Sequence, residues 1–141
     1  MAKAGQGIQE RRGLDCSTGD QDPLSGAVIG AAIEVHKALG PGLLESTYQA
    51  CLAAELKHLG IPFQEQVDVP IRYRGVKLES GYRLDFVVAG SLVVELKSVD
   101  RLLPIHEAQL LTYLRLTSIR TGLLLNFNTA YLRGGIKRLV L

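Results

Sequence analysis

The chain contains no tryptophan, and aromatic residues make up only 6% of it. That scarcity argues against an extended platform on which successive bases stack. Cysteine is nearly absent too. Cys16 and Cys51 are the only two, one in a polar tail and one inside an apolar helical pattern. They form neither a metal-ligand spacing nor a disulfide framework, so a reducing, cytoplasmic location is expected. No apolar run approaches the roughly 20 residues of a membrane span, and the N-terminal stretch lacks the apolar core of a signal peptide. What is present is ordinary globular material: 141 residues, 47% hydrophobic and 21% charged, enough for one domain with a single core. The net charge of +2 demands no polyanionic partner. From residue 101 onward, however, Arg101, Arg115, Arg120, Arg133, Lys137 and Arg138 stand against Glu107 alone. Such a stretch either steers phosphate towards the protein or is a solvated surface.

Residues 1–22 are rich in Gly, Gln and charge without periodicity, and read as a flexible leader to a domain spanning 23–141. LSGAVIGAAIEVHKALG (24–40) has apolar residues at helical spacing and stops at Gly40-Pro41-Gly42. A second helix is predicted from about Leu43 to Leu59, closed by Gly60 with Pro62 following. Val67, Val69, Ile71 and Tyr73 then alternate with polar residues and Pro70, the pattern of a half-buried strand at an edge or with a bulge. YRLDFVV (82–88), a turn at Ala89-Gly90-Ser91 and LVVELK (92–97) read as a β-hairpin. Pro104 opens a third helix to about Leu116, TGLLLNF (121–127) is a further strand, and the tail adds a strand or a short helix. Helix, helix, three strands, helix, strand is an α/β or α+β arrangement with helices packed on a mixed sheet.

The hairpin carries an anomaly. In VVELKSV (93–99), Glu95 and Lys97 interrupt a buried-strand pattern two residues apart, hence on one face. With the turn centred on Gly90, facing residues have numbers summing to 180, which sets Asp85 opposite Glu95. Like charges so placed repel. Three arrangements relieve that repulsion: a shared proton, neutralisation by Lys97, or a cation between the acids. A hard divalent ion explains both carboxylates and leaves Lys97 to orient a water or stabilise developing charge. A partly buried Asp–Lys–Glu ion cluster explains them equally well.

ELK also occurs at Glu55-Leu56-Lys57, but there it lies in a helical pattern, where residues two apart diverge by about 200°. On that second helix Glu45 and Glu55 both fall within the apolar arc, and periodicity does not separate them. On the third helix His106, Gln109 and Tyr113 share a face at i, i+3 and i+7. That row either holds water or phosphate beside the strand, or caps and covers the helix.

GPGLLESTY (40–48), with Gly42, Glu45 and Tyr48 at the named positions, resembles the signature of the GxxExxY protein family, assigned to the PD-(D/E)XK nuclease superfamily. The resemblance continues through YRLDFVV, VVELKSV, HEAQLLTYL and GLLLNFN, over about residues 26–140. It implies a restriction-endonuclease-like core, a mixed four-stranded sheet flanked by helices in αβββαβ order, here with an extra N-terminal helix. It also implies that Asp85 and Glu95 bind Mg²⁺ or Mn²⁺, that Lys97 orients the attacking water, that Glu45 helps with the metal, and that Gln109 supports the site. Tyr48, His106 and Tyr113 are supporting or substrate-binding candidates. The residue before Asp85 is Leu84, so the Pro-Asp often found in the superfamily is absent.

The expected activity is metal-dependent hydrolysis of phosphodiester bonds in DNA or RNA, with no membrane partner. The alternative is a non-catalytic module that binds nucleic acid or a protein on the same fold. Oligomeric state is open, a homodimer included.

Overall fold

The computed structural model describes residues 22–78 and 82–141. The proposed leader, residues 1–21, lies outside the described residues. Asp22 belongs to the fold. It caps helix α1 (Pro23–Leu39), its carboxylate accepting from the Ser25 amide and hydroxyl, both at 2.8 Å. Pro23 opens that helix, where its missing N–H costs nothing. The same carboxylate takes the Arg138 guanidinium at 2.7 Å, tying the start of α1 to the last strand. Helix α2 (Glu45–His58) buries Tyr48, Leu52 and Leu56, a stripe at four-residue spacing.

The chain then forms β1 (Phe63–Asp68), β2 (Ile71–Tyr73), β3 (Val76–Leu78), β4 (Arg83–Val88), β5 (Leu92–Lys97), helix α3 (Pro104–Thr117), β6 (Thr121–Asn126), a 3₁₀ turn (Leu132–Gly135) and β7 (Ile136–Val140). The main sheet has five strands in the order β1-β4-β5-β6-β7; β5 and β6 are parallel and every other neighbouring pair is antiparallel. The expected four-stranded mixed core is therefore β1-β4-β5-β6, and the tail supplies both a short helical turn and a fifth strand.

One expectation needs correction. The alternation from Val67 to Arg74 is two strands in different sheets. Val69 is buried and its N–H donates to the Tyr82 carbonyl at 2.9 Å, but Pro70 has no N–H with which to continue the ladder. Beyond it the chain leaves the main sheet and pairs β2 with β3 in a separate two-stranded hairpin. Arg74 and Gly75 both have positive φ at its tip, the backbone of a two-residue hairpin turn with the strand twist.

Two buried clusters sandwich the sheet. On one side α1 and α2 meet Phe86, Val88, Leu92, Val94 and Leu96. On the other α3 meets Leu84, Val87, Val93 and Leu124. Along β5 the assignment alternates strictly, so Glu95 and Lys97 continue the Val93 face, towards α3.

Candidate active site

The predicted hairpin register is observed: Val88 faces Leu92, Val87 faces Val93 and Phe86 faces Val94. The backbone ladder stops at the next position, where Asp85 meets Glu95. There the side chains take over. The Asp85 N–H donates to Glu95 Oε2 at 2.8 Å, and the Leu96 N–H donates to Asp85 Oδ2, also at 2.8 Å. Two ladder amides are thus satisfied by carboxylates instead of carbonyls, which the strands tolerate because no buried N–H is left unpaired.

Asp85 is passed over on its other side as well. β1 pairs Glu65 with Phe86 and Val67 with Leu84, leaving Gln66 facing Asp85 without a ladder bridge. Gln66 has φ +50, an uncommon conformation for a residue with a side chain. Its amide reaches Asp85 Oδ1 at 3.5 Å and Gln49 of α2 at 2.9 Å. The distortion also resets the strand's alternation, since Leu84 and Val87 enter the same cluster although they are three residues apart.

Glu95 is only 7% exposed. Burial pushes its carboxyl up to about 8, the Asp85 charge adds to the rise, and the Asp85 amide and Lys97 pull against it without prevailing. Burial raises Asp85 as well, opposed by the Leu96 amide and reinforced by the Glu45 charge. Both shifts run the same way, so each acid favours its protonated form more than a free carboxylate does.

Glu45 is the first residue of α2 and is exposed, not on the packing face that the apolar arc predicted. It accepts the Ser98 N–H at 3.3 Å, and its charge is felt at both Asp85 and Glu95. Gly42, Glu45 and Tyr48 form one mechanical unit. Gly42 has φ +94, which an L side chain rarely adopts, and so lets the chain turn from α1 into α2. Tyr48 is fully buried; its hydroxyl donates to the Gly40 carbonyl at 2.6 Å and accepts the Leu43 N–H at 3.1 Å. Its ring stacks on Phe127 with centroids 4.4 Å apart. Tyr48 thus supports the loop that delivers Glu45 and, being buried, offers no surface to a substrate.

Of the α3 row, His106 is occupied at the helix start, where its Nδ1 accepts the Leu103 N–H at 3.0 Å. Tyr113 is buried between α3 and the sheet, and burial together with the Glu95 charge raises its hydroxyl. Gln109 is exposed and joins Tyr113 in the wall of a cavity of about 340 Å³.

Several contributors carry no sequence signal. Asn126 is buried at the end of β6, opposite Lys97. Its Oδ1 accepts the Val99 N–H at 3.1 Å and its Nδ2 donates to the Val99 carbonyl at 2.9 Å, while the Phe127 N–H donates to the Lys97 carbonyl. These bonds fix the segment that carries Lys97. Ser98 adds a hydroxyl bond to the Leu43 carbonyl at 2.7 Å. Asn126, Ser98 and Gln66 each lie in an unremarkable local pattern, and only their distant partners reveal them.

The donor set suits a hard cation. Each acid has one oxygen anchored to a backbone amide, and among the described residues Glu95 Oε1 accepts no hydrogen bond while Asp85 Oδ1 has only the long Gln66 contact. Two such carboxylate oxygens, completed by substrate phosphate and water, match how Mg²⁺ is held. Among the described residues no group of three or more His, Cys, Asp or Glu side chains forms a metal cage, so Glu45 stands beside the pair and does not close a three-ligand set. No helix among those residues is long and apolar enough to cross a membrane.

No curated protein and no solved structure matches the chain. Residues 22–139 match the sequence profile of the PD-(D/E)XK nuclease superfamily. That match covers nearly all of the described residues, together with a mixed five-stranded sheet between helices and an Asp–Glu–Lys group on its central hairpin, so the chain belongs to the PD-(D/E)XK nuclease superfamily.

Proposed function

We propose that the protein is a metal-dependent nuclease hydrolysing phosphodiester bonds of nucleic acid, with Asp85 and Glu95 as ligands of Mg²⁺ or Mn²⁺. Nucleases of this superfamily generally use divalent metals. The observation that carries the reading is the interlocked pair: two acids held against each other, one of them buried, at the point where the strands part. When bound, a divalent ion would be held by Asp85 and Glu95 and would supply positive charge against the scissile phosphate. Asp85 and Glu95 present oxygens already oriented by backbone amides, so little reorganisation is needed. Lys97 lies on the same strand face as Glu95, half-buried, where its ammonium can hold a water in line or stabilise charge developing on the phosphate. Glu45 contributes an outer acid, and Gln109 a polar contact on the α3 side. The finer placement among GxxExxY proteins is supported by the way Gly42, Glu45 and Tyr48 act as one unit.

The test is cleavage of single- and double-stranded DNA and RNA with Mg²⁺ or Mn²⁺ by the wild type, Glu95→Gln and Lys97→Ala. Cleavage by the wild type alone is expected; equal activity in all three removes the proposal. A second reading is a binding module that keeps the fold without catalysis and uses the basic residues from Arg101 to Arg138. Calorimetric titration separates them. The nuclease binds Mn²⁺ and loses it on Asp85→Asn, whereas the module shows salt-dependent nucleic-acid affinity indifferent to metal.

A further inference from the structure

The cavity of about 340 Å³ beside α3 is lined by Ile71, Tyr82, Ile105, Gln109, Tyr113 and neighbouring small and apolar groups. Its volume lies at the lower end of the roughly 300–1,000 Å³ typical of ligand clefts. It borders the strands that carry the carboxylate pair. Tyr113 forms its inner wall and packs in one cluster with Leu84, Val87 and Val93, which neighbour Asp85 and Glu95 on β4 and β5. Its outer lip is exposed, with Ile105 67% accessible, and carries the flexible amide of Gln109.

The lip continues into the β2–β3 hairpin through Ile71. There Arg72 faces Lys77 directly across the ladder, two like charges on the ribbon face opposite to Ile71. Arg74 adds a third positive charge at the tip, and residues 71–78 contain no acid. Tyr73, 66% exposed, stands on the same strand face as Ile71. An apolar aromatic recess with one amide, beside the proposed phosphodiester site, matches a flat base whose phosphate lies at the carboxylates.

We propose that this cavity receives one unpaired nucleobase of the substrate strand. The inference deepens the nuclease reading and rests on it for placing the scissile phosphate at Asp85 and Glu95. A base still paired and stacked in a duplex does not enter such a recess. The substrate is therefore single-stranded, or melted at an end or defect. Tyr82 and Tyr113 supply aromatic wall and Gln109 an amide that can both donate to and accept from a base edge.

The experiment is binding without turnover: fluorescence anisotropy of labelled single-stranded DNA, single-stranded RNA and a blunt duplex with the full chain in EDTA, across salt concentrations. The probe variants are Ala108→Phe, which fills the cavity from an exposed helical position, and Ile105→Glu, which sets a negative charge at its mouth. Thermal melting shows that each variant is folded, and the second serves if the first is not. Single strands are expected to bind roughly tenfold tighter than duplex or more, and both variants to erase that preference, since stacking supplies it. The DNA and RNA arms show which sugar is taken. Equal affinity for single strand and duplex, or unchanged single-strand binding by a folded Ala108→Phe, overturns the inference. So does tighter binding on that substitution, which would assign the cavity to a segment of the chain itself. Because no arm requires cleavage, loss of the nuclease reading and loss of the base pocket give different results.

Discussion

The main-chain amide of Asp85 donates to the Glu95 carboxylate, and the amide just beyond Glu95 donates back to the Asp85 carboxylate, both at 2.8 Å. Each acid thereby completes the other's broken strand. The exchange makes the pair a structural element as well as a candidate ion site, and the consequences for stability and for metal binding can be measured separately.

Acidity comes first. Glu95 is raised from 4.5 to about 8, so the metal-free folded chain binds a proton there that the unfolded chain releases. With more protons bound in the native state, stability falls as pH rises through the window from 4.5 to about 8. Melting in EDTA across that window is expected to show the decline. Glu95→Gln keeps an acceptor for the Asp85 amide and removes the more strongly shifted acid, leaving only the raised Asp85, so its decline should be clearly smaller. Added Mn²⁺ should stabilise the wild type increasingly towards the alkaline end, and leave Glu95→Gln unmoved.

Glu45 should separate charge from fold. It is exposed and, among the described residues, holds only a long bond to the Ser98 amide, so Glu45→Gln is expected to change stability by no more than about 0.5 kcal/mol. Its Mn²⁺ affinity should nevertheless fall roughly tenfold or more, as is common when an outer partner of a metal ligand is lost. Calorimetric titration beside a urea melt checks both halves.

The turn before α2 is the next test. Tyr48→Phe keeps the stack on Phe127 but strips the hydroxyl that joins the Gly40 carbonyl to the Leu43 amide. The expected loss is roughly 1–3 kcal/mol in denaturant unfolding. Gly42→Ala meets open space but must hold φ +94, and is expected to cost a similar roughly 1–3 kcal/mol.

Beneath Lys97, Asn126→Leu is expected to destabilise by about 1–3 kcal/mol, because the half-buried Val99 amide and carbonyl both lose the buried side chain that pairs them. Gly135→Ala presses a methyl group against the Asn126 carbonyl, with an expected cost of about 1–3 kcal/mol. Both variants should also lose Mn²⁺-dependent cleavage in proportion to the disorder of the Lys97 segment, read by hydrogen exchange at Val99.

Local pattern sufficed for the three helices, for β4, β5 and β6, and for the hairpin register, because those follow from nearest-neighbour spacing: a four-residue stripe, a period of two, a glycine turn. The opposition of Asp85 and Glu95 came from the same arithmetic. The break at Pro70 was half legible, since a missing N–H marks an interruption without saying where the chain goes next. Whether Glu45 or Glu55 served the site could not be read from periodicity, as both fall in one arc of α2. That choice depends on which end of the helix the Gly40–Leu43 turn brings to Ser98. The carboxylates' exchange of ladder bonds, the strained Gln66 beside them and the Asn126 clasp under Lys97 join residues far apart in the chain. Such contacts exist only after the sheet has closed and burial has made every unpaired amide costly.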